Sequence, residues 1–251
     1  EHAHKHRYDG DSRDVAHARG DELAKRFYKE VAVKSVEGGF AVPLDGRATR
    51  TPGRVPVVVP DEKLSRLMDM EWDAQGQRID AETMPIVRLV NSAIEGGDDK
   101  VGLLRDEVIK YAGNDLLLYR ADAPQELVDD QELHWDGALV SLARHFEVAF
   151  QPTIGIIHQP QPASTLTKLD TALEGQGLLS LTSLVSITGI TGSGLPAIAL
   201  LHKLLTADQV WTAAHADEDP QIRLWGEDEE AMERRAKRRV EFDTAVAVVE
   251  A

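Results

Sequence analysis

Apolar and polar residues alternate along the chain between residues 31 and 59. Two turn-forming pairs, Gly38-Gly39 and Asp45-Gly46, interrupt the alternation, and the run VPVVVP has a proline at its end. A period of two around such pairs is typical of β-hairpins. We therefore expect a small antiparallel sheet of three or four strands.

The segment that follows, DEKLSRLMDMEWDAQG, has the spacing of an amphipathic helix. Asp61 is a plausible N-cap, and Gly76 ends the pattern. Because a sheet this small buries too little surface on its own, we expect this helix to cover it. Its apolar stripe consists of Leu64, Leu67, Met68 and Trp72.

Beyond Thr83 the pattern is mostly helical, apart from two short β-like runs, DLLLYR and TIGII. The sequence thus predicts an α+β fold, with a small N-terminal antiparallel β-sheet domain and its covering helix before a mainly α-helical C-terminal domain. The predicted ranges are a polar flexible tail at 1–20, the small α/β domain at 21–95 and the helical domain at 96–251.

Three glycines lie close together in the stretch SITGITGSGLPAIALL, residues 186–201. A phosphate-binding loop would need a Lys with Ser or Thr after the last glycine, and a dinucleotide site would need a different glycine spacing. The surrounding segment is uncharged and apolar, which favours a buried central helix. We expect Gly189 and Gly192 to lie at close helix contacts, with a kink or break near Gly194 because Pro196 follows.

Charge and composition narrow the function further. Acidic residues outnumber basic ones by 43 to 28, which gives a formal net charge of -15. Such a surface repels nucleic acid and anionic lipid, so we expect neither as a partner. No apolar run approaches the roughly 20 residues that span a bilayer, so we expect no membrane insertion. The absence of cysteine excludes disulfides, thiolate metal sites and thiol catalysis.

Catalytic and metal-binding motifs find little support. The histidines beyond the tail are scattered and form no zinc-binding pair, and no serine lies in a nucleophile elbow. His2, His4 and His6 alternate in the tail, which is compatible with a metal site but more typical of a flexible segment. We therefore expect no cofactor and no metal. Two of the 43 carboxylates could still meet as an acid–base pair, so a hydrolase or isomerase remains the alternative.

The most distinctive polar segment is DEDPQIRLWGEDEEAMERRAKRRVEF, near the C-terminus. Its charges, acidic at a helix start and basic further on, complement a helix dipole. The dipole does not explain a Trp-Gly pair beside the acidic cluster, and an exposed Trp next to charges is a common binding anchor. The candidate partner-binding residues in this segment are Arg223, Trp225, Asp228 and Glu229.

Several motifs together resemble one family. RFYKEVAV, GGFAVPLDGRATRTP, EWDAQ, YAGNDLLLYRAD and DEDPQIRLWGEDEEA occur in order at the family's separations. They are similar to the ATP synthase assembly chaperones that bind the alpha subunit of the catalytic sector, the assembly factor 2 type of mitochondria and its α-proteobacterial relatives. The resemblance covers about residues 25–248.

The resemblance implies a protein that is not an enzyme. Members of the family hold the unassembled alpha subunit until the beta subunit arrives, without using a nucleotide. We also expect a monomer. The resemblance implies a place of action in the bacterial cytoplasm, or in the mitochondrial matrix for eukaryotic relatives. It places an acidic residue three positions after the Trp-Gly pair, at Glu229, and we expect this residue to contact the client. We expect Trp72 and Asp73 to form the next candidate surface. A general holdase without a fixed client is a second alternative.

Overall fold

The computed structural model describes residues 22–217 and 228–251. The predicted tail at 1–20 lies outside these residues. The described chain forms two compact units. The first contains residues 22–49 and Val58–Val87, and the second contains Arg50–Val57 and Arg88–Ala251. The fold is α+β and mainly helical, as the sequence predicts.

The sheet of the first unit is a single hairpin. Strands β1 (Lys34–Val36) and β2 (Gly39–Ala41) pair antiparallel. The run VPVVVP adds no strand of its own, because only Val59 pairs with the hairpin, through two hydrogen bonds with Phe40 of 2.8 and 2.9 Å. The expected three or four strands are therefore two strands with isolated bridges.

The turn at Asp45-Gly46 forms as expected. Its residues have φ angles of 49° and 78°, the two positive values of a type I′ turn. The Asp45 carboxylate accepts hydrogen bonds from the backbone N–H groups of Lys29 (3.0 Å) and Glu30 (2.8 Å). These bonds lower the pKa of the Asp45 carboxyl. The turn therefore also holds the segment that precedes the hairpin.

Helix α1 (Glu62–Asp73) packs on β2 and closes the core of the first unit. Leu64 and Met68, from its expected apolar stripe, are 1% exposed. The prediction of a covering helix is confirmed. The other buried apolar side chains of this core include Tyr28, Val42, Leu44, Val59 and Met84.

Helices dominate the second unit. Helix α2 begins in the first unit, at Pro85, and continues into the second. The helices are α2 (Pro85–Gly96), α3 (Val101–Gly113), α4 (Gln125–Gln131), α5 (Gly137–Phe146), α6 (Ala163–Ala172), α7 (Leu178–Thr191), α8 (Leu195–Leu201), α9 (Ala207–Ala214) and α10 (Glu229–Val249).

Both predicted short strands of the second unit exist but are reduced. DLLLYR forms a 3₁₀ turn, Leu116–Leu118, and then β3 (Tyr119–Arg120). TIGII supplies β4 (Thr153–Ile154), which pairs parallel to β3. A π-helical turn, Glu132–Asp136, joins α4 to α5.

Helix α7 lies at the centre of the second unit, between α3 and α10. Its residues Leu181, Leu184 and Ile187 are completely buried. Helix α10 is buried along only part of its length. Its buried side chains begin at Phe242, so the turns from Glu229 to Glu241 contribute none to the core.

The glycine stretch breaks where the proline signal indicates. Helix α7 ends at Thr191, Gly192 caps it with φ 70°, and α8 starts after Gly194. The expected close contacts at Gly189 and Gly192 are wrong, because both are exposed and an added Cβ would meet nothing within 4 Å. The tight contact is at Gly194, where a Cβ would lie 2.6 Å from backbone atoms of Val108 and Ala112 on α3.

Candidate functional site

Trp72 and Asp73 lie at the end of α1, where they help to close the first unit. The Trp72 carbonyl accepts a 2.6 Å hydrogen bond from the Tyr28 hydroxyl, and the two rings meet edge to face. The Arg26 guanidinium donates to the carbonyls of Asp73 (3.1 Å) and Gln75 (2.6 Å). These contacts give both predicted residues a structural role. The Asp73 side chain is still 72% exposed.

Asp228 and Glu229 lie at the start of α10 in the second unit. The Asp228 carboxylate accepts a 3.0 Å hydrogen bond from the Glu230 N–H, so Asp228 is the N-cap of this helix. Glu229 is exposed and forms no hydrogen bond or ion pair with another described residue. Arg223 and Trp225 lie outside the described residues.

The second unit also contains an open groove, which we name the Tyr119 groove. It encloses about 740 Å³ beside the C-terminal half of α3. Ile109, Ile156 and Leu166 supply its apolar walls, so the groove presents mainly hydrocarbon to a ligand. The described residues that line it are Asp106, Ile109, Lys110, Gly113, Asn114, Tyr119, Ile156, His158 and Leu166.

Three hydrogen-bonded side chains form one polar wall of the Tyr119 groove. The Tyr119 hydroxyl donates a short hydrogen bond to the Asn114 carbonyl oxygen Oδ1. The His158 Nδ1 atom lies 3.0 Å from the same oxygen and 3.2 Å from the Tyr119 hydroxyl. These contacts fix Asn114 so that its amide nitrogen, the opposite end of the side chain, remains available to a ligand.

The loop after β4 extends this groove with exposed apolar side chains. We name residues 153–158, which are β4 and the segment that follows it, the isoleucine loop. Gly155, with φ 95°, bends the chain immediately after the strand. Ile154, Ile156 and Ile157 expose 68%, 93% and 79% of their surface. Exposed apolar side chains this close together are typical of a surface that binds a partner.

A buried carboxylate fixes the backbone next to the groove. Asp115 follows Gly113 and Asn114 of the lining and is completely buried. Its carboxylate accepts 2.7 Å hydrogen bonds from the N–H groups of Gly194 and Leu195, and a short one from the Ser193 hydroxyl. Asp115 thereby ties the end of α3 to the break between α7 and α8.

Two opposing effects set the pKa of Asp115. Burial raises the pKa and outweighs the hydrogen bonds from Ser193, Leu195, Leu117 and Gly194, which lower it. The pKa of the carboxyl is therefore about 6 instead of 3.8. The carboxyl has no opening to solvent and is enclosed by groups of its own chain. We therefore assign it to the scaffold of the groove rather than to ligand binding.

Within 22–217 and 228–251, no three His, Asp or Glu side chains are grouped closely enough to hold a metal ion. None of the helices in this part of the chain is long and apolar enough to cross a bilayer. The apolar walls of the Tyr119 groove and the exposed side chains of the isoleucine loop point to the binding of an apolar ligand or protein surface.

Comparison with known proteins identifies the family. The family model described as ATP12 chaperone protein matches residues 25–143. The crystal structure of Atp12 from Paracoccus denitrificans has 33% sequence identity and a TM-score of 0.85, and the match covers 90% of this chain and 97% of that one. The chain belongs to the ATP12 chaperone family.

Two further relatives agree with membership of the ATP12 family. A crystal structure of a protein from Agrobacterium tumefaciens is 38% identical, with a TM-score of 0.87, and the match covers 91% of this chain and 86% of that one. The mitochondrial protein atp12 of Schizosaccharomyces pombe is 24% identical over 221 residues, which cover 83% of this chain and 76% of the relative. The resemblance seen in the motifs is confirmed, and it supports a role as a chaperone in ATP synthase assembly.

Neither the groove nor the loop of this ATP12-family chain was predicted as a site. The motif TIGII was visible in the sequence, but a short apolar run is equally typical of a buried strand. Its bend at Gly155 and its exposure depend on which elements surround it. The six residues predicted from the sequence do not include any residue of the groove lining.

Proposed function

We propose that this ATP12-family chain is a non-enzymatic chaperone for the unassembled alpha subunit of the ATP synthase catalytic sector. The observation that carries the proposal is the match to the Atp12 structure of Paracoccus denitrificans along 90% of the chain. In this proposal the chain acts in the bacterial cytoplasm and holds the alpha subunit until the beta subunit replaces it.

The physical need for such a chaperone follows from the client's exposed surface. An unassembled subunit exposes the apolar area that it later buries against its neighbour, and exposed apolar area drives aggregation. A chaperone that covers this area must be released when the partner subunit arrives. Competition by the larger final interface accomplishes that release without nucleotide hydrolysis.

Glu229 is the proposed charged contact at the start of α10. Asp228 caps the helix through the Glu230 N–H, whereas the exposed Glu229 carboxylate is free of other described residues. We extend the contact to Trp225 and Arg223 because they precede it in the same polar segment. Trp72 and Asp73 form the second proposed surface, since the Asp73 carboxylate is mostly exposed.

The test measures folding and client capture on the same samples. The alpha subunit is unfolded in urea and diluted into the chaperone, and its aggregation is followed by light scattering. We expect Glu229→Ala to weaken protection and Glu229→Lys to weaken it further, because like charges at an interface cost several kcal/mol. Both variants should lose only about 0.3–1 kcal/mol of stability, the usual effect of a charge at a helix N-terminus.

Glu230→Lys is the matched control. It places the same charge change in the same helix turn but on a different face, so it should share the stability effect and keep most of the protection. Full protection by a folded Glu229→Lys variant would remove Glu229 from the contact. Failure of the wild-type chain to protect the alpha subunit, or equal protection of unrelated unfolded proteins, would overturn the proposed function itself.

A further inference from the structure

The isoleucine loop has more apolar surface than a connection between helices requires. It lies in the connection between α5 and α6, and three of its side chains are at least two-thirds exposed. Ile156 also belongs to the lining of the Tyr119 groove, so the exposed loop and the groove form one continuous apolar surface. A surface of this kind is typical of a protein-binding site.

The polar wall of the groove narrows the chemistry of the ligand. The Asn114 oxygen Oδ1 is occupied by Tyr119 and His158, whereas its amide N–H groups have no partner among the described residues. A ligand that complements this wall needs a hydrogen-bond acceptor next to apolar groups. An extended polypeptide meets both needs, because each residue offers a main-chain carbonyl beside a side chain.

The net charge of the chain decides between three possible occupants of the groove: a second copy of the chain, a lipid surface and a segment of a client. With a net charge of -15, two copies of the chain repel each other, and the chain is also repelled by an anionic membrane surface. A segment of a different protein need not carry a like charge, so this repulsion does not count against it. The client segment is therefore favoured over a second copy and over lipid.

We propose that the Tyr119 groove and the isoleucine loop bind an extended apolar segment of the client subunit. Side chains of the segment enter the groove between Ile109, Ile156 and Leu166, and a main-chain carbonyl accepts a hydrogen bond from the Asn114 amide. The identity of the client rests on the proposed function. The binding surface itself is independent of the contact proposed at Glu229.

The first experiment compares Ile156→Asp with Leu133→Asp in the assay with diluted alpha subunit. Ile156 is 93% exposed and Leu133 is 72% exposed, so neither change should shift the melting temperature. Leu133 lies in the π-helical turn of the same unit and does not line the groove. We expect Ile156→Asp to raise the chaperone concentration that gives half-maximal protection of the alpha subunit on the order of tenfold or more. Leu133→Asp should raise it by less than about twofold.

The second experiment locates the bound segment directly. Because the chain has no cysteine, a single Ile157→Cys variant carries a photoactivatable cross-linker at one defined site. We expect its cross-links to fall within one apolar segment of the alpha subunit, and a Leu133→Cys control to give few. Equal cross-linking from both positions would overturn the proposal.

The outcomes separate the inference from the proposed function. If the wild-type chain and Ile156→Asp protect the alpha subunit equally, the groove is not the binding surface, although the proposed function stands. If the wild-type chain does not bind the alpha subunit, both proposals fall. If size-exclusion chromatography with light scattering finds a dimer that Ile156→Asp dissociates, the occupant is a second copy and the proposal is wrong.

Discussion

Each unit of the chain contains a charged side chain that makes four hydrogen bonds and joins distant segments, Arg26 in the first and Asp115 in the second, but the two side chains lie in opposite environments. In the first unit, Arg26 donates hydrogen bonds to four carbonyls and keeps its side chain 19% exposed. In the second, Asp115 accepts its hydrogen bonds with no exposure. Both side chains therefore join segments that are distant in sequence, Arg26 at a partly exposed site and Asp115 in the interior.

The difference shows how burial multiplies the effect of losing a charged group. Carbonyls near the surface exchange a lost donor for water, so the net loss is moderate. Buried N–H groups have no such replacement, and each unsatisfied one costs about 1–3 kcal/mol. Equal numbers of hydrogen bonds therefore do not mean equal contributions to stability.

The largest expected effect is that of Asp115→Ala. It leaves the N–H groups of Gly194 and Leu195 buried without acceptors, so we expect the free energy of unfolding to fall on the order of 3–5 kcal/mol. Urea denaturation followed by circular dichroism measures the loss. Asp115→Asn keeps one acceptor oxygen and should lose less. A loss below about 1 kcal/mol for Asp115→Ala would mean that water reaches these groups, and the contrast between the units would disappear.

A smaller effect is expected at the tight junction beside Asp115. Gly194→Ala places a methyl group 2.6 Å from backbone atoms of α3, and such overpacking costs about 1–3 kcal/mol. Gly189→Ala is the control, because its Cβ meets nothing and the helix gains about 0.5–1 kcal/mol from losing the glycine. Thermal melting should therefore shift in opposite directions. The same direction for both variants would contradict the close approach at Gly194.

The smallest effect is expected in the first unit, at Arg26. Arg26→Ala removes four hydrogen bonds to carbonyls, but water can replace several of them, so we expect a loss of about 1–2 kcal/mol. Arg26→Lys should restore only part of the loss, since an ammonium group cannot reach the same set of acceptors. Thermal unfolding of both variants gives the comparison. If Arg26→Ala lowered the free energy of unfolding as much as Asp115→Ala does, the exposure of the side chain would not explain the difference between the units.

Elements with a strong local pattern were predictable from the sequence. The apolar stripe of α1, the Asp45-Gly46 turn and the stop near Gly194 each depend on residues within one short segment. The number of strands was overestimated because VPVVVP has strand composition, yet only Val59 pairs with the hairpin. Composition indicates that a segment can extend, but pairing depends on neighbours that the segment does not specify.

The candidate site was harder to predict because its parts are distant in sequence. Asp115 lies in a run that resembles a strand, and its partners Ser193, Gly194 and Leu195 are about 80 positions away. A side chain at Gly194 would collide with the backbone of α3, whereas one at Gly189 would meet nothing within 4 Å. The composition of the stretch does not distinguish these two glycines. The exposure of Ile156 likewise depends on how the other elements of the fold are arranged, and the sequence around Ile156 does not indicate this.

The buried carboxyl of Asp115 also couples folding of the chain to the binding of a proton. Its pKa of about 6 in the folded chain, against 3.8 for an unperturbed carboxyl, means that folding takes up a proton between these pH values. Linkage then fixes the sign: the contribution of Asp115 to stability is greatest below pH 4 and declines as the pH rises. The slope is at most about 1.4 kcal/mol per pH unit, and it vanishes above the folded pKa. Above that pH the carboxyl is ionised in both the folded and the unfolded chain, so Asp115 no longer makes the stability of the second unit depend on pH.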